Sequence, residues 1–482
     1  MGRMRNILLG LALLGACGTD IEPITPDASP TAQVTWFQDV APVVSKHCMS
    51  CHQDGGIAPF SLTDYDSARM NAQRMLTQID QGTMPPFDAR EEADCTPRFG
   101  WKDDPRLSAT EKQLLHDWVT QGSQMGTVAD VPKPASTDLP GVTRTLTPTM
   151  GFTAAGDRDQ FICTVLDPIE TGTWLTGLQV RPGVPEVVHH VVLTEMFAGA
   201  AQDALVAAHP VGQPFDCSTI TQPGDLTVNI WTPGNEPMET PSDLAVPLLQ
   251  GAKIVMQIHY HPAGGTHAPD MTSVDLRTSS VWPKKMYFVG AFGNATAAPQ
   301  LLPDPDDRTS SPEFRIPADV ADHTEHMRFT VGDLGTLTNV RLYSANPHMH
   351  LIGTHISGTI ERPAPRGGDP QTECLANGNW NFDWQRTYIY DAPLDQLPSV
   401  QTGDTIDIKC HWNNTIENPF VQRALQDQGL VAPVDISLGE GGSTDEMCLE
   451  IFGIAVDAPP KPAAIAAPQP SMMPTQLLKQ FR

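Results

Sequence analysis

Five histidines in the later part of the chain have the spacing of metal ligands. Two are adjacent in the apolar run V-V-H-H-V-V-L, one ends the run V-M-Q-I-H, and two flank a methionine in N-P-H-M-H-L. They are His189, His190, His259, His348 and His350. Imidazole binds copper, zinc, iron or nickel, so these residue types predict a metal site without naming the metal.

The strands that carry these histidines decide which of them can share an ion. Side chains two apart on a strand point to the same face, so His348 and His350 would project together. His189 and His190 are adjacent and would face opposite ways on a regular strand. The strand must therefore end or twist at this point if both are to bind one ion.

The motif C-M-S-C-H indicates attachment of a c-type haem. Cys48 and Cys51 would form the two thioethers, and His52 would be the proximal iron ligand. A redox dithiol or half of a zinc site would not need the adjacent histidine, and no second Cys/His pair follows at zinc spacing. The motif therefore favours covalent haem.

A haem of the electron-transfer type often has a methionine as its second axial ligand. Met84 lies in the proline-stiffened loop G-T-M-P-P and is predicted to fill that position. Met70 and Met75 fall in an amphipathic helix pattern and are expected in its core. A later helix pattern begins at Ser108, where Glu111 completes a capping box. Together these features resemble a class I cytochrome c domain.

The composition limits the possible partners and fold. The chain has 482 residues and a net charge of −26, which makes nucleic acid an improbable partner. Its 45 prolines and 38 glycines, with few long helical patterns, favour β-rich domains with many turns.

The N-terminus predicts export. Residues 1–16 have a basic start and a short apolar run, as in a lipoprotein signal peptide, and the bacterial lipobox L-G-A-C makes Cys17 the lipidated residue. An ordinary cleaved signal peptide is the alternative. The protein is then expected in the periplasm, tethered to a membrane through its lipid, with a mild preference for the outer membrane because Gly18 is not Asp. That compartment permits disulfides.

The chain is predicted to be multi-domain: a small all-α cytochrome c domain followed by two all-β jelly-roll sandwich domains. Short alternating apolar runs separated by turn residues give the β prediction. The predicted boundaries are a signal peptide at 1–16, a tether at 17–33, the haem domain at 34–127, a linker at 128–142, sandwiches at 143–290 and 291–458, and a disordered tail at 459–482.

The order of four motifs resembles the copper type II, ascorbate-dependent monooxygenases, the family of peptidylglycine α-hydroxylating monooxygenase and dopamine β-monooxygenase. Here the motifs read V-H-H, Q-I-H-Y, H-M-H-L and E-M-C, in the family's order. The resemblance implies two copper ions. The electron-storing copper would be held by His189, His190 and His259, with His259 favoured over its rival His261.

The copper at which O2 and substrate meet would be held by the other histidine pair and a thioether. By the same resemblance its ligands and catalytic residues are His348, His350 and Met447. A thioether is a soft ligand that favours Cu(I). The position two before His348 is Asn346, and the position four after Met447 is Ile451, where the amidating branch has Arg and Tyr. The resemblance therefore implies a small and more apolar organic substrate.

The resemblance also implies disulfide pairings for four cysteines. The pairs are Cys410 with Cys448 and Cys163 with Cys217. Cys374 lacks the partner that the family would supply, so it is either free or paired with Cys95.

The leading hypothesis is a copper monooxygenase that hydroxylates a C–H bond with O2. Its electrons would come from an exported donor, ascorbate or a redox protein, through the haem. The linker at 128–142 would let the haem domain dock in a tethered encounter. The alternative is an exported haem and copper lipoprotein for electron transfer or copper binding, without oxygenase turnover.

Overall fold

The computed structural model describes residues 33–461 and 468, apart from internal gaps. The gaps are 55–57, 134–137, 157, 218–224, 234, 263, 266, 296 and 440–443. The predicted signal peptide, the lipidation site Cys17, nearly all of the tether and most of the tail lie outside the described residues. Within those described, no helix has the length and apolar character that a membrane crossing requires.

The chain begins with a small helical region. A π-helical turn, Trp36–Val40, leads into α1, Ala41–His47, and is followed by α2, Tyr65–Asp80, and α3, Ala109–Thr120. The predicted capping box at Ser108 and Glu111 is present, with each side chain bonded to the other residue's backbone N–H. Apolar side chains of all these helices, with Trp36 and Trp118 at the centre, form a cluster separate from the rest of the core. Met75 belongs to that cluster, but Met70 is 83% exposed, contrary to the expectation for it.

The loop between α2 and α3 leaves the helical region and packs against the β structure. Ala89 pairs with Gly378, and Trp101 pairs with Tyr390 and stacks on its ring at 5.0 Å. Phe87, Ala89 and Trp101 are buried in the main β core rather than in the helical cluster. The predicted haem domain at 34–127 therefore contains a loop that is part of the sandwich core.

Most of the remaining described chain is β structure, as predicted. The strands are β1 Arg144–Leu146, β2 Gln160–Pro168, β3 Thr173–Arg181, β4 Val188–Met196, β5 Pro214–Asp216, β6 Leu226–Trp231, β7 Met238–Glu239, β8 Leu244–Leu248, β9 Lys253–Tyr260, β10 Ser273–Ser279, β11 Lys285–Asn294, β12 Arg315–Ile316, β13 His323–Thr330, β14 Arg341–His348, β15 Gly353–Glu361, β16 Thr372–Asn379, β17 Tyr388–Ile389, β18 Thr405–Trp412, β19 Ile436–Ser437 and β20 Cys448–Asp457. Two further helices are α4, Ala200–Ala208, and α5, Pro419–Gln428.

The strands form a large shared sheet and smaller sheets. A nine-stranded sheet has the order β1-β10-β3-β8-β11-β20-β14-β17, with β7 beside β3. A five-stranded sheet has the order β5-β2-β9-β4-β6, a four-stranded sheet has the order β13-β18-β15-β16, and β12 pairs with β19. Most buried apolar side chains of these sheets form one cluster, and a smaller cluster beside the five-stranded sheet contains Cys163, Val165, Met196, Cys217 and Val255.

The nine-stranded sheet runs through the predicted boundary between the two sandwiches. β11 pairs in parallel with β8 through Lys285 and Met286, and pairs antiparallel with β20 along its full length. The boundary predicted between 290 and 291 falls inside β11. The early and late strands therefore share one sheet.

Three disulfides join distant parts of the described chain. They are Cys95–Cys374, Cys163–Cys217 and Cys410–Cys448. Both pairings implied by the family resemblance are present. Of the two alternatives left open for Cys374, the structure has the pairing with Cys95. That bond fastens the α2–α3 loop to β16.

Candidate metal centres

The adjacent histidines converge with the third because β4 has an irregularity where they lie. The register against β9 shifts between Val188 and His190, which is opposite His259. A bulge of this kind re-aims a side chain, so His189 joins His190 on one side of the sheet. This is the departure from a regular strand that the adjacent pair required. His189, His190 and His259 are called the three-histidine cluster below.

The ring nitrogens of the three-histidine cluster face one another. His190 Nδ1 lies 3.3 Å from His189 Nδ1 and 3.3 Å from His259 Nδ1. One imidazole nitrogen cannot donate a single proton to two others, so hydrogen bonding explains at most one of these approaches. Two nitrogens bound to one tetrahedral ion at about 2.0 Å lie roughly 3.3 Å apart. The donor set therefore fits a shared metal ion.

The adjacent pair in this cluster, His189 and His190, is held in the uncharged form. Burial lowers the pKa of His189 and of His190 well below the usual range, and the charge on His259 lowers both further. His189 Nε2 is buried and has no hydrogen-bond partner among the described residues. Neutral imidazole is the form that binds a metal.

A carboxylate supports the cluster from behind. Asp159 Oδ2 lies 3.0 Å from His259 Nε2, and Asp159 Oδ1 lies 2.6 Å from His261 Nδ1. Burial alone would raise the pKa of Asp159, but its hydrogen bonds to the two histidines hold that pKa well below its usual value. Phe161 stacks on the His259 ring with centroids 4.4 Å apart. His261 thus contacts the supporting carboxylate instead of joining the cluster, and His259 is the third member.

The second pair of histidines lies where β14 ends. The rings of His348 and His350 are nearly perpendicular, with centroids 5.4 Å apart. His348 Nδ1 lies 3.0 Å from Gln385 Oε1, and His350 Nδ1 lies 2.9 Å from the carbonyl oxygen of Asp445. Both acceptors lack a proton, so each histidine donates from Nδ1 and keeps Nε2 as the atom free to bind a metal. His348 and His350 are called the late pair below.

Burial also keeps the late pair neutral. It lowers the pKa of His348, although the Gln385 hydrogen bond acts in the opposite direction. It lowers the pKa of His350 to about 3, with a further contribution from the charge on His348. Both imidazoles are therefore neutral near pH 7, and each can bind a metal.

Glu446 holds the turn that carries His350. Its two carboxylate oxygens accept hydrogen bonds from the backbone N–H groups of His350, at 2.8 Å, and Ile352, at 2.9 Å. Met447 is the next residue and is 9% exposed. Cys448 then begins β20 and is bonded to Cys410. The segment that carries the predicted thioether thus also supplies two contacts that hold His350.

One short segment contacts both centres. Phe382, at the start of a 3₁₀ helix that runs to Trp384, stacks on His189 with ring centroids 4.8 Å apart. Gln385, directly after that helix, accepts the hydrogen bond from His348. Its backbone carbonyl also accepts a hydrogen bond from Thr232. The two centres are close enough that charges on the late pair would lower the pKa of His190.

The predicted haem motif forms a compact turn after α1. The backbone N–H groups of Cys51 and His52 both bond to the carbonyl of Cys48, and His52 Nδ1 lies 3.1 Å from the carbonyl of Phe60. That contact leaves His52 Nε2 for an iron ligand. Cys48 and Cys51 form no disulfide with each other. Burial, followed by the neighbouring Cys51, raises the pKa of Cys48 to about 12, unlike the thiol of a reactive dithiol.

An open cleft is lined by Asn346, which lies two residues before His348. It encloses about 1010 Å³ including its solvent-open part, and residues from the α2–α3 loop and from both parts of the shared sheet line it. The lining includes Lys102, Trp231, Glu236, Asn346, Arg386 and Ile451. The predicted substrate positions Asn346 and Ile451 thus share one cleft. The cleft is not purely apolar, because charged side chains line it together with Ile451.

The haem motif is near the same cleft. Charges on Arg386 and Glu236 act on the thiol of Cys51, although burial is the main cause of the raised pKa there. Met84 lies on the loop after α2, with its N–H bonded to the carbonyl of Gln78. Its role as the second axial ligand stays a prediction.

Three supporting residues had no signal in the sequence. Gln385 and Glu446 contact histidines that lie far away along the chain, and Asp159 lies just before β2, whereas the histidine it supports is on β9. The E-M-C motif contains Glu446, but spacing alone gives it no role. Each of these contacts depends on the tertiary fold.

Comparisons with known proteins identify no family. The chain matches no protein-family model and no curated protein. The major capsid protein P2 of bacteriophage PM2 is similar at 10% identity, covering 65% of this chain and 97% of that chain, with a TM-score of 0.25. A cowpea mosaic virus top-component chain is similar at 7% identity, covering 71% and 99%, with a TM-score of 0.23. Allantoicase is similar at 10% identity, covering 55% and 80%, with a TM-score of 0.14. These scores are too low to support an argument about function.

Proposed function

We propose that the protein is a copper-dependent monooxygenase that hydroxylates a C–H bond of a small organic substrate, with electrons relayed by a c-type haem in the same chain. The observation that carries the proposal is the pair of histidine centres that the segment from Phe382 to Gln385 connects, with burial lowering the pKa of His189, His190, His348 and His350. Copper at such centres supplies one-electron redox chemistry and reactivity toward O2. The overall reaction consumes one O2, two electrons and two protons, places one oxygen atom in the C–H bond and yields one water.

The three-histidine cluster suits electron storage. His189, His190 and His259 would hold one copper, and Asp159 fixes the ring of His259 through its outer nitrogen. Burial lowers the pKa of His189 and of His190, which favours their neutral imidazole form, and His259 is 1% exposed. The stacked ring of Phe161 further limits rotation of His259.

The late pair suits the site where O2 and substrate meet. His348 and His350 would bind through Nε2, because Gln385 and the Asp445 carbonyl hold the Nδ1 protons. Met447 would add the soft thioether that favours Cu(I). The adjoining cleft, which contains Asn346 two residues before His348, offers the space for a substrate.

The helical region would carry the covalent haem as a cytochrome c-like domain. Cys48 and Cys51 would form the thioethers, with His52 and Met84 as axial ligands. Haem supplies one-electron transfer at a potential that its ligands and burial set. Its turn neighbours the cleft, so the exported donor, ascorbate or a redox protein, would deliver electrons beside the centres. The three disulfides fit an exported protein, and Cys17 would anchor it in the envelope membrane by its lipid.

The test is copper content and electron paramagnetic resonance of the copper-loaded, haem-containing protein. We expect two type II coppers per haem, falling to one in His348→Ala/His350→Ala and staying at two in the control His261→Ala. Haem without stoichiometric copper would refute the proposal. Two coppers without substrate-dependent O2 consumption, tested over a panel of small organic substrates, would favour the electron-transfer or copper-binding alternative.

A further inference from the structure

A second group of metal-ligand side chains lies in the late part of the fold, apart from both histidine centres. It joins the connection between β11 and β12 to the start of β13. Ligand atoms of Asp304, His323 and Glu325 all lie within 4.8 Å of one another. Asp306 stands at the edge of the group, with Oδ2 3.9 Å from His323 Nδ1. These four residues are called the β13 cluster below.

Glu325 has one buried carboxylate oxygen that no hydrogen bond among the described residues satisfies. The residue is 1% exposed. Its Oε1 lies 3.0 Å from His323 Nε2 and accepts the backbone N–H of Arg315 at 3.0 Å. Its Oε2 is buried and has no hydrogen-bond partner among the described residues. Leaving a buried carboxylate oxygen unpaired costs free energy that a bound cation would recover.

The neighbouring arginine does not compensate this charge. The guanidinium of Arg315 contacts Asp306 Oδ2 and Asp435 Oδ2, each at 3.1 Å. It forms no ion pair with Asp304 or Glu325 among the described residues.

The geometry points to a divalent-cation site formed by Asp304, His323 and Glu325, with Asp306 at its edge, separate from the copper centres of the proposed function. The donor set combines carboxylate oxygens with one imidazole nitrogen, which suits Mn²⁺, Fe²⁺ or Zn²⁺ better than a calcium site built from oxygen alone. The separation of 3.0 Å between His323 Nε2 and Glu325 Oε1 also fits two adjacent ligands of one ion with bonds of about 2.1 Å. Such an ion would fasten the long β11–β12 connection to the edge strand β13.

The simplest competing arrangement has a protonated His323 as the internal counter-ion. In that case the imidazolium would neutralise Glu325 and Asp304 directly, and no cation would bind. The two arrangements differ in a single measurable property, which is binding of an added divalent ion.

The experiment is a titration with Mn²⁺ of the full-length protein loaded with no more than two equivalents of copper per chain, so that copper does not fill the β13 cluster, followed by electron paramagnetic resonance of free Mn²⁺. We expect one Mn²⁺ per chain and a higher thermal unfolding temperature. Glu325→Gln and Asp304→Asn should each weaken the binding by at least about 100-fold, because they remove a ligand rather than an outer partner. The control Glu313→Gln changes a carboxylate that pairs with Arg308 in the same connection, and should bind as the wild type does.

The test remains decisive even if a variant folds poorly. Copper and haem content report whether each variant keeps its fold, and the wild-type titration tests the site without any variant. No Mn²⁺ bound by the wild type, with the same result for Zn²⁺, would overturn the site and favour the protonated His323. Equal binding by wild type and a folded Glu325→Gln variant would overturn it as well.

Discussion

The three-histidine cluster and the late pair both bring histidine rings together, but different kinds of structural element hold the rings in place. In the first, all three rings come from two neighbouring strands of one sheet, and the supporting Asp159 belongs to the segment that leads into the next strand. In the second, the two rings lie at a strand end and in the turn after it. Their supports, Gln385, Asp445 and Glu446, come from segments far along the chain. The first centre is built into a sheet, whereas the second is held by segments that lie outside the strands, so the second should be easier to disturb.

The largest effect should come from breaking the disulfide behind the late pair. In Cys410→Ser/Cys448→Ser, β20 loses its covalent bond to β18, and with a separation of 38 residues the loss should be about 4 kcal/mol of unfolding free energy. The late pair should lose copper before the three-histidine cluster does. Urea unfolding and copper content would measure the two effects.

The matched variant is Cys163→Ser/Cys217→Ser, whose bond lies beside the strands of the three-histidine cluster. Cys217 Sγ also accepts a hydrogen bond from Gln257, two residues before His259. We expect the reverse order of copper loss. If both variants lost copper from the two centres in the same order, the proposed difference in how the centres are supported would be wrong.

Glu446→Gln should give the next largest effect. The amide has one acceptor oxygen, so the N–H of His350 or of Ile352 loses its partner, at a cost of about 1–3 kcal/mol. Copper binding at the late pair should weaken, and the three-histidine cluster should keep its copper. Resonance spectra of the partly loaded variant would distinguish the two coppers, and equal loss from both would refute the expectation.

Replacing the residues that contact the histidine rings should lower copper affinity at one centre without changing it at the other. Gln385→Leu removes the acceptor of the His348 Nδ1 proton, and Asp159→Asn removes the charge behind His259. Each should lower copper affinity about tenfold or more at its own centre only. Competition with a copper chelator would measure this, and crossed effects would show that the segment from Phe382 to Gln385 couples the centres.

The smallest effect on either centre is expected from Glu195, which lies further along the strand of His189 and His190. Burial raises the pKa of Glu195 from 4.5 to about 8, although the N–H of Leu249 acts against this. From about pH 4.5 to 8 the unfolded carboxyl group releases its proton while the folded one keeps it, so stability should fall as pH rises across that range. Glu195→Gln should remove this fall and leave both coppers bound. Thermal unfolding in a pH series would test it, and an unchanged slope would contradict the assignment.

Local patterns in the sequence predicted local structure well. The capping box from Ser108 to Glu111 spans only four residues, and the adjacent pair His189 and His190 signalled the irregularity in β4. Alternating apolar residues likewise predicted the β character of the later chain, because a strand shows its buried face within a few residues.

Contacts that depend on distant pairing could not be predicted in this way. Nothing near Gln385 indicates that it meets His348, and nothing near Trp101 indicates that it stacks on Tyr390. We also predicted that the linker at 128–142 would let the haem domain dock in a tethered encounter. That prediction took no account of the disulfide that joins the α2–α3 loop to β16. Such contacts arise only when strand order and register are known.

The bond between Cys95 and Cys374 sets a condition on how the protein is made. The two cysteines are 279 positions apart. During synthesis Cys95 therefore emerges long before its partner, and Cys163 and Cys217 appear in the interval. The first thiol must stay unpaired, or exchange out of a wrong pairing, until β16 has been made. Because the α2–α3 loop is bonded to β16, correct oxidation depends on thiol–disulfide exchange in the compartment where the chain folds.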